Sequence, residues 1–237
     1  MSPRAALEPS RGTDADALMV LAFGLLCVSG GVVSGLLGSA PATPQPITAA
    51  HAVAMLIMPA FAAALFFRRQ VETRASLRAL LGSGDPLRDV VRGLCIGLAS
   101  LPATLGLAYL TGMLLQWATG LPPEAQPVIE SLRLPGTSKA AAIAAGLISI
   151  ALTPAAEEIL YRDILLGALR RRRGAAAAVA LSSLYFGLLH LHAPVVPALV
   201  VFGAVLAIVR IRTGSLLVCI AAHATFNAAN LTLALLA

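Results

Sequence analysis

The sequence predicts an all-α protein, a polytopic bundle of about seven transmembrane helices. Hydrophobic residues make up 58% of the 237-residue chain and charged residues only 12%, a balance far from that of soluble domains. Its apolar runs reach the roughly 20 residues with which a helix crosses a bilayer. The alternating segments of about ten residues that build outer-membrane barrels are absent. The composition therefore favours an integral membrane protein and excludes a soluble enzyme.

The expected spans are seven apolar segments separated by Pro-rich, Gly-containing or charged connections. In chain order they cover residues 17–37, 47–67, 93–117, 140–169, 174–191, 195–209 and 215–236. The three cysteines, Cys27, Cys95 and Cys219, are scattered through apolar stretches without C-x-x-C spacing. We therefore expect them to pack rather than to bind metal or undergo redox chemistry.

Arginines occur in every second connection, which predicts the orientation of the helices. Six lie in 68–92, four in 170–173 and two, Arg210 and Arg212, before the last span, whereas the intervening connections hold at most two basic residues. The positive-inside rule then predicts a multi-pass protein of the cell (inner) membrane with a cytoplasmic N-terminus. The net charge of +6 reports this topology, so we expect lipid and peptide partners and no nucleic acid.

The distribution of ionisable residues inside the spans divides the chain into two parts. His51 is the only one well inside the first three spans, whereas the fourth, fifth and seventh hold several. We expect a cytoplasmic segment 1–16, accessory helices and loops over 17–139, and a catalytic core over 140–237. His51, and His192 after the fifth span, are expected to be packing or interfacial histidines.

The fourth span carries two adjacent carboxylates, Glu157 and Glu158. Neighbouring residues of a helix point about 100° apart, so we expect the two to face different neighbours. Glu158 and Arg162 are four residues apart and can pair their charges on one face. Glu157 is left to hold or receive a proton. Pro154 predicts a kink one turn before the carboxylates.

The fifth and seventh spans contribute a second set of polar residues. Phe186 and His190 are spaced i,i+4, as are His223 and Asn227, so each pair shares a helix face. Counting helical rise from the basic turns places Glu157 in the same layer of the bilayer as both histidines and Asn227. Because an ionisable residue inside a membrane costs about 3 kcal/mol or more, this set favours a reaction centre.

These residue types allow more than one chemistry. A carboxylate and an imidazole can deprotonate a water aimed at a carbonyl carbon, while a second imidazole and an amide stabilise the oxyanion. Glu157, His190 and His223 could instead bind Zn²⁺ with one open position. A proton-coupled transporter or a bacteriocin immunity factor could also use the same cluster, as a relay or a binding site. The residues alone leave these alternatives open.

Three motifs on the core spans carry a resemblance to a known family. They are Glu157-Glu158-x-x-x-Arg162, Phe186-x-x-x-His190 and His223-x-x-x-Asn227. Over roughly residues 140–237 the chain resembles the CAAX protease and bacteriocin-processing (CPBP, also called Abi) family of intramembrane endopeptidases. Its members were formerly classed as metalloproteases and are also described as glutamate-type enzymes without a catalytic metal.

The resemblance implies a role for each motif residue. Glu157 and His190 would activate the water, and His223 and Asn227 would form the oxyanion pocket. No metal would be required, with zinc at Glu157, His190 and His223 as the alternative. The supporting residues would be Glu158, Arg162 and Phe186. The resemblance does not identify the substrate or say whether it is prenylated.

Signatures of other intramembrane proteases are absent or incomplete. The chain contains no His-Glu-x-x-His and no Gly-x-Ser-Gly element on a span. Gly82-Ser83-Gly84-Asp85 imitates an aspartyl-protease motif, but Pro86 follows it and arginines surround it, which indicates a turn. Asp163, the only Asp within a span, is adjacent to Arg162.

Overall fold

The protein is all-α, as its composition predicts. The computed structural model describes residues 13–36, 45–73, 81–82, 84–121 and 127–236, and every regular element within these ranges is helical. Most of the expected N-terminal segment 1–16 lies outside the described residues.

Ten α-helices and two wider π-helical segments are described. The α-helices are α1 (Asp14–Leu36), α2 (Ala49–Ala54), α3 (Ile57–Thr73), α4 (Pro86–Thr119), α5 (Pro127–Arg133), α6 (Lys139–Leu147), α7 (Thr153–Glu157), α8 (Leu166–Leu188), α9 (Val196–Thr213) and α10 (Leu216–Leu236). The segments π1 (Ile148–Leu152) and π2 (Glu158–Leu165) lie on either side of α7. The expected fourth span is therefore helical throughout, but its backbone widens twice.

Five stretches of the described residues are long and apolar enough to cross a membrane. They are Ala49–Glu72, Pro86–Thr119, Lys139–Leu188, Val196–Thr213 and Leu216–Leu236. The third of them is 50 residues long and folds back at Gly174, whose φ of 79° is non-helical. Arg162 and Phe186, each twelve residues from that glycine, are in contact. This stretch therefore supplies both the fourth and the fifth expected span, and α1 coincides with the first.

Two glycines of α4 allow it to pack closely along α10. A Cβ atom on Gly93 would lie 2.7 Å from the Val218 carbonyl oxygen, and one on Gly97 would lie 2.9 Å from the Thr225 Cβ. A stripe of small residues lets two helix backbones approach in this way. Both contact positions advance together along the chain, so α4 and α10 run parallel, as alternating spans three and seven must.

Asp163 joins three helices at the end of the bundle where the arginine-rich connections lie, here called the basic end. Its Oδ2 accepts from Arg69 of α3, and its Oδ1 lies 3.1 Å from an Arg210 nitrogen of α9. The carboxylate is 3% exposed. The sequence placed Asp163 next to Arg162, but its charge is neutralised by two arginines distant in the chain.

The first helix is fastened to the same end by its own acidic residues. Asp16 is fully buried and pairs with Arg68, while Asp14 forms two hydrogen bonds with Arg172, at 3.0 and 2.6 Å. The Arg172 guanidinium lowers the pKa of Asp14. This contact is present at neutral pH and weakens as the pH falls through the lowered pKa.

Candidate active site

Glu158 is the most enclosed carboxylate of the fourth span. It is 0% exposed, and its Oε1 lies 2.8 Å from the His223 Nδ1. Its Oε2 lies 3.4 Å from the Arg162 Nε, so the predicted Glu158–Arg162 pair is confirmed. Because a carboxylate only accepts hydrogen bonds, the His223 Nδ1 carries the hydrogen and donates it. Glu158 thus links its own helix to α10.

Arg162 extends this link to α8 and α9. One of its terminal nitrogens donates to the Gly203 carbonyl at 3.2 Å, and its guanidinium lies 4.5 Å from the centre of the Phe186 ring. A guanidinium over an aromatic face gains cation–π attraction, which is strongest where water is excluded. The buried arginine is therefore fixed in position on three sides, and it fixes Glu158 in turn.

Glu157 is held much more loosely than Glu158. Its one ion pair within the described residues places Oε2 3.5 Å from the His223 Nε2, and its side chain is 10% exposed. The expectation that the adjacent carboxylates face different neighbours is wrong in one respect, because His223 contacts both. An imidazole can do so since its two nitrogens lie on different edges of the ring. Of the two carboxylates, Glu157 is therefore the one that is partly exposed.

The backbone widens on both sides of Glu157, which the sequence did not predict. Glu157 ends α7, Glu158 begins π2, and π1 precedes α7. Single π turns are frequent at functional sites because they redirect side chains within a continuous helix. Pro154 was expected to kink the helix here; in the structure it follows a widened turn, at the second position of α7.

His190 has a defined tautomer. Its Nδ1 lies 2.9 Å from the Phe186 carbonyl oxygen, which can only accept a hydrogen bond, so Nδ1 carries the proton of the neutral ring. Its Nε2 is left as the acceptor. The residue is exposed, and within the described part of the chain it makes no hydrogen bond or ion pair with Glu157 or His223.

Phe186 lies between the two histidines. Its ring centre is 5.0 Å from that of His190 and 5.7 Å from that of His223, both edge-to-face. Phe202 also contacts His223 edge-to-face, with its ring centre 5.5 Å from that of the imidazole. Phe186 is fully buried, so it connects the exposed imidazole to the buried cluster through ring contacts.

Asn227 lies one turn beyond His223 and contacts the fourth span. Its Nδ2 donates to the Ser149 carbonyl oxygen in π1 at 3.0 Å. The side chain is half-buried. One of its two amide hydrogens is therefore bound to the Ser149 carbonyl, and the other has no acceptor among the described residues.

The two remaining histidines differ from each other. His51 is exposed and caps α2, with its Nδ1 accepting from the Thr48 backbone N–H at 3.2 Å, which is a structural role within its own helix. His192 lies in the turn before α9 and is half-buried. Both of its ring nitrogens are buried without a hydrogen-bond partner in the described residues, so its packing is not that of a satisfied histidine.

The residues proposed for zinc are not arranged around one point. Among the described residues, no group of three or more His, Cys, Asp or Glu side chains forms a cluster that could hold a metal. Within the described residues His190 makes no hydrogen bond or ion pair with Glu157 or His223, so the three side chains are not brought together. The arrangement therefore does not fit the zinc alternative, and we derive no step through a metal.

Comparison with known families locates the similarity in the second half of the chain. Residues 139–229 match the family model described as type II CAAX prenyl endopeptidase Rce1-like. No curated protein and no solved structure matches the chain. All the site residues described above lie in the matched segment, whereas α1–α5 lie outside it. The chain is therefore a multi-pass membrane protein whose segment 139–229 is similar to the type II CAAX prenyl endopeptidases of that family model.

Proposed function

We propose that this protein is an intramembrane endopeptidase that hydrolyses a peptide bond of a membrane-associated peptide or protein. The observation that carries the proposal is the buried group of Glu157, His223, Glu158 and Arg162 within the segment that matches the protease family. The glutamate-type mechanism below is part of the proposal.

Charge balance suggests where the reaction stores its proton. Two carboxylates and one guanidinium leave the cluster with one net negative charge if His223 is neutral. A charge inside a low-dielectric medium is costly, so we propose that the proton released during the reaction is held between Glu157 and His223. The 3.5 Å separation of Oε2 and Nε2 allows either residue to hold it. Glu158 stabilises the protonated imidazole through its 2.8 Å hydrogen bond.

Water activation is assigned to Glu157 and His190. Glu157 has carboxylate surface left for a water, and His190 offers an unprotonated Nε2 because its Nδ1 hydrogen is bound to the Phe186 carbonyl. A general base contributes about 10²–10⁴-fold to such a reaction. The proton removed from the water can then be passed to the leaving amine.

Stabilisation of the oxyanion is assigned to His223 and Asn227. These two residues are four apart on α10, so they lie on one helix face. When protonated, the His223 Nε2 is a donor, and Asn227 has one amide hydrogen not bound to Ser149. Donors held in place before charge develops are usually the largest contribution to such catalysis.

The proposal is tested by a cleavage assay in liposomes. Purified protein is incubated with a peptide library and with CAAX-tailed peptides that do or do not carry a farnesyl group, and products are identified by mass spectrometry. We expect cleavage by the wild type and none by Glu157→Gln. The matched control is Glu130→Gln on α5, outside the site, which should cleave like the wild type.

Two outcomes would contradict the proposal. Equal cleavage by Glu157→Gln and the wild type would remove Glu157 from the chemistry. A wild type that cleaves nothing, but moves protons across the liposome in a Glu157-dependent way, would favour the transporter alternative. The farnesylated and unmodified peptides separate a prenyl endopeptidase from a protease of broader membrane substrates.

A further inference from the structure

The contact between Asn227 and Ser149 has a specific origin in the backbone of the fourth span. At the end of π1, the Thr153 N–H donates to the Ile148 carbonyl, five residues earlier. The next donor in this pattern would be residue 154, and its acceptor would be the Ser149 carbonyl. Residue 154 is proline, which has no N–H. The Ser149 carbonyl therefore loses its helical donor and accepts from the Asn227 amide instead.

We propose that Pro154 is a positioning residue, which joins the carboxylate helix to α10 by leaving the Ser149 carbonyl for Asn227. Glu157 lies three residues after Pro154, less than one turn away, so this bond fixes the distance between Glu157 and the helix that carries His223. A carbonyl inside a membrane has no water to bond to, so the Asn227 amide stabilises this arrangement by supplying the missing donor.

The same bond determines which way the Asn227 amide faces. The Ser149 carbonyl accepts only, so the NH₂ group rather than the oxygen of Asn227 must point to it. The second hydrogen of that NH₂ group then has a fixed direction. For catalysis, the inference rests on the proposed function, in which this hydrogen contacts the oxyanion.

A second intramembrane proline shows that a missing N–H alone does not create such a contact. Pro102 lies inside α4 and is exposed. It removes the donor of the Leu98 carbonyl four residues earlier, and within the described residues no side chain of another helix donates to that carbonyl. Pro102→Ala is therefore the matched control for Pro154→Ala.

The first test compares steady-state kinetics of the two proline variants in liposomes. Pro154→Ala restores an N–H that competes with Asn227 for its acceptor, so we expect kcat to fall about 10-fold or more. KM should change by about two-fold or less, because the substrate contacts are retained. Pro102→Ala should stay within about two-fold of the wild type in both constants.

The second test measures melting temperatures in detergent and does not depend on activity. In the wild-type background, Asn227→Ala leaves the Ser149 carbonyl unsatisfied and should lower Tm by about 2–4 °C. In the Pro154→Ala background the restored backbone N–H serves that carbonyl, so the same substitution should lower Tm by under about 1 °C.

The results that would overturn the inference are distinct from failure of the proposed function. Equal Tm losses for Asn227→Ala in both backgrounds, or a Pro154→Ala variant with the kinetics of Pro102→Ala, would overturn it. A wild type that cleaves no peptide would overturn the proposed function only. The melting temperatures would still decide whether Pro154 and Asn227 are coupled.

Discussion

Two buried charged clusters contain carboxylates of the fourth span, and they are built differently. At the basic end, both oxygens of Asp163 are used, one by Arg69 and one by Arg210. In the candidate active site, Glu157 has one ion pair among the described residues, at 3.5 Å. The first carboxylate is completely bound by side chains of other helices, and the second keeps a face available.

In the proposed function, the difference separates a structural charge from a reactive one. Buried charges persist in a protein only when they are paired, because desolvation is costly. Asp163 meets this condition on its own, with two arginines from other helices. Glu157 meets it only through a histidine shared with Glu158. An incompletely bound carboxylate beside an imidazole is what proton transfer requires.

The largest combined effect on stability and cleavage is expected at Glu158, which is fully buried and ion-paired like Asp163 and also contacts His223. Glu158→Ala leaves Arg162 buried without its carboxylate and removes the acceptor of the His223 Nδ1 hydrogen. We expect a stability loss of about 3–5 kcal/mol and no detectable cleavage. Unfolding in detergent and the liposome assay measure the two losses. A stable, active variant would contradict the assigned bridging role.

Substitution of His190 should reduce activity without lowering stability. The residue is exposed, and among the described residues its side chain bonds only to the Phe186 carbonyl at the end of its own helix. We expect His190→Ala to reduce kcat about 10²–10⁴-fold with Tm unchanged. His51→Ala, which alters another exposed histidine, is the control and should leave kcat unchanged. A His190→Ala variant as active as the control would contradict the assignment of His190 to water activation.

Substitution of Arg162 by lysine tests whether the geometry of this side chain, rather than its charge, matters for activity. Arg162→Lys keeps the positive charge but cannot contact Glu158, the Gly203 carbonyl and the Phe186 ring together. We expect a fall in kcat of about 10-fold. Arg172→Lys, in an exposed ion pair with Asp14, should have no measurable effect on kcat. Matching kinetics for the two lysine variants would show that charge alone suffices at 162.

The smallest effect is expected from metal removal. The proposed mechanism assigns every proton transfer to side chains, so treatment of the purified protein with a chelator should change kcat/KM by less than about two-fold. Metal analysis by mass spectrometry before and after treatment provides the control. Stoichiometric zinc, with activity lost on its removal and restored on its return, would replace the glutamate mechanism by the zinc alternative.

Local features of the site could be predicted from sequence, because they depend on spacing along one helix. Glu158 and Arg162 lie four residues apart and pair as expected. The predicted third span begins at residue 93, later than α4 itself, because Arg88, Asp89 and Arg92 interrupt the apolar run. The turn signal was nevertheless present: Asp85 caps the helix and Pro86 begins it.

The contacts between helices could not be predicted in the same way. Periodicity gives the face of each helix but not its rotation against a neighbour, so the placement of His223 between both glutamates was missed. Asp163 and Arg69 are 94 residues apart, beyond any local pattern. The widened turns π1 and π2 also leave no periodic signal, although Pro154 marked the place where helical hydrogen bonding is interrupted.

The central claim is that Glu157 is held for chemistry and Asp163 for structure. Its most direct test measures cleavage per folded molecule and unfolding stability for Glu157→Gln and Asp163→Asn side by side. We predict that Glu157→Gln loses cleavage and keeps its stability, while Asp163→Asn loses stability and keeps the cleavage of its folded fraction. The reverse pattern, or loss of both properties in both variants, would contradict the account.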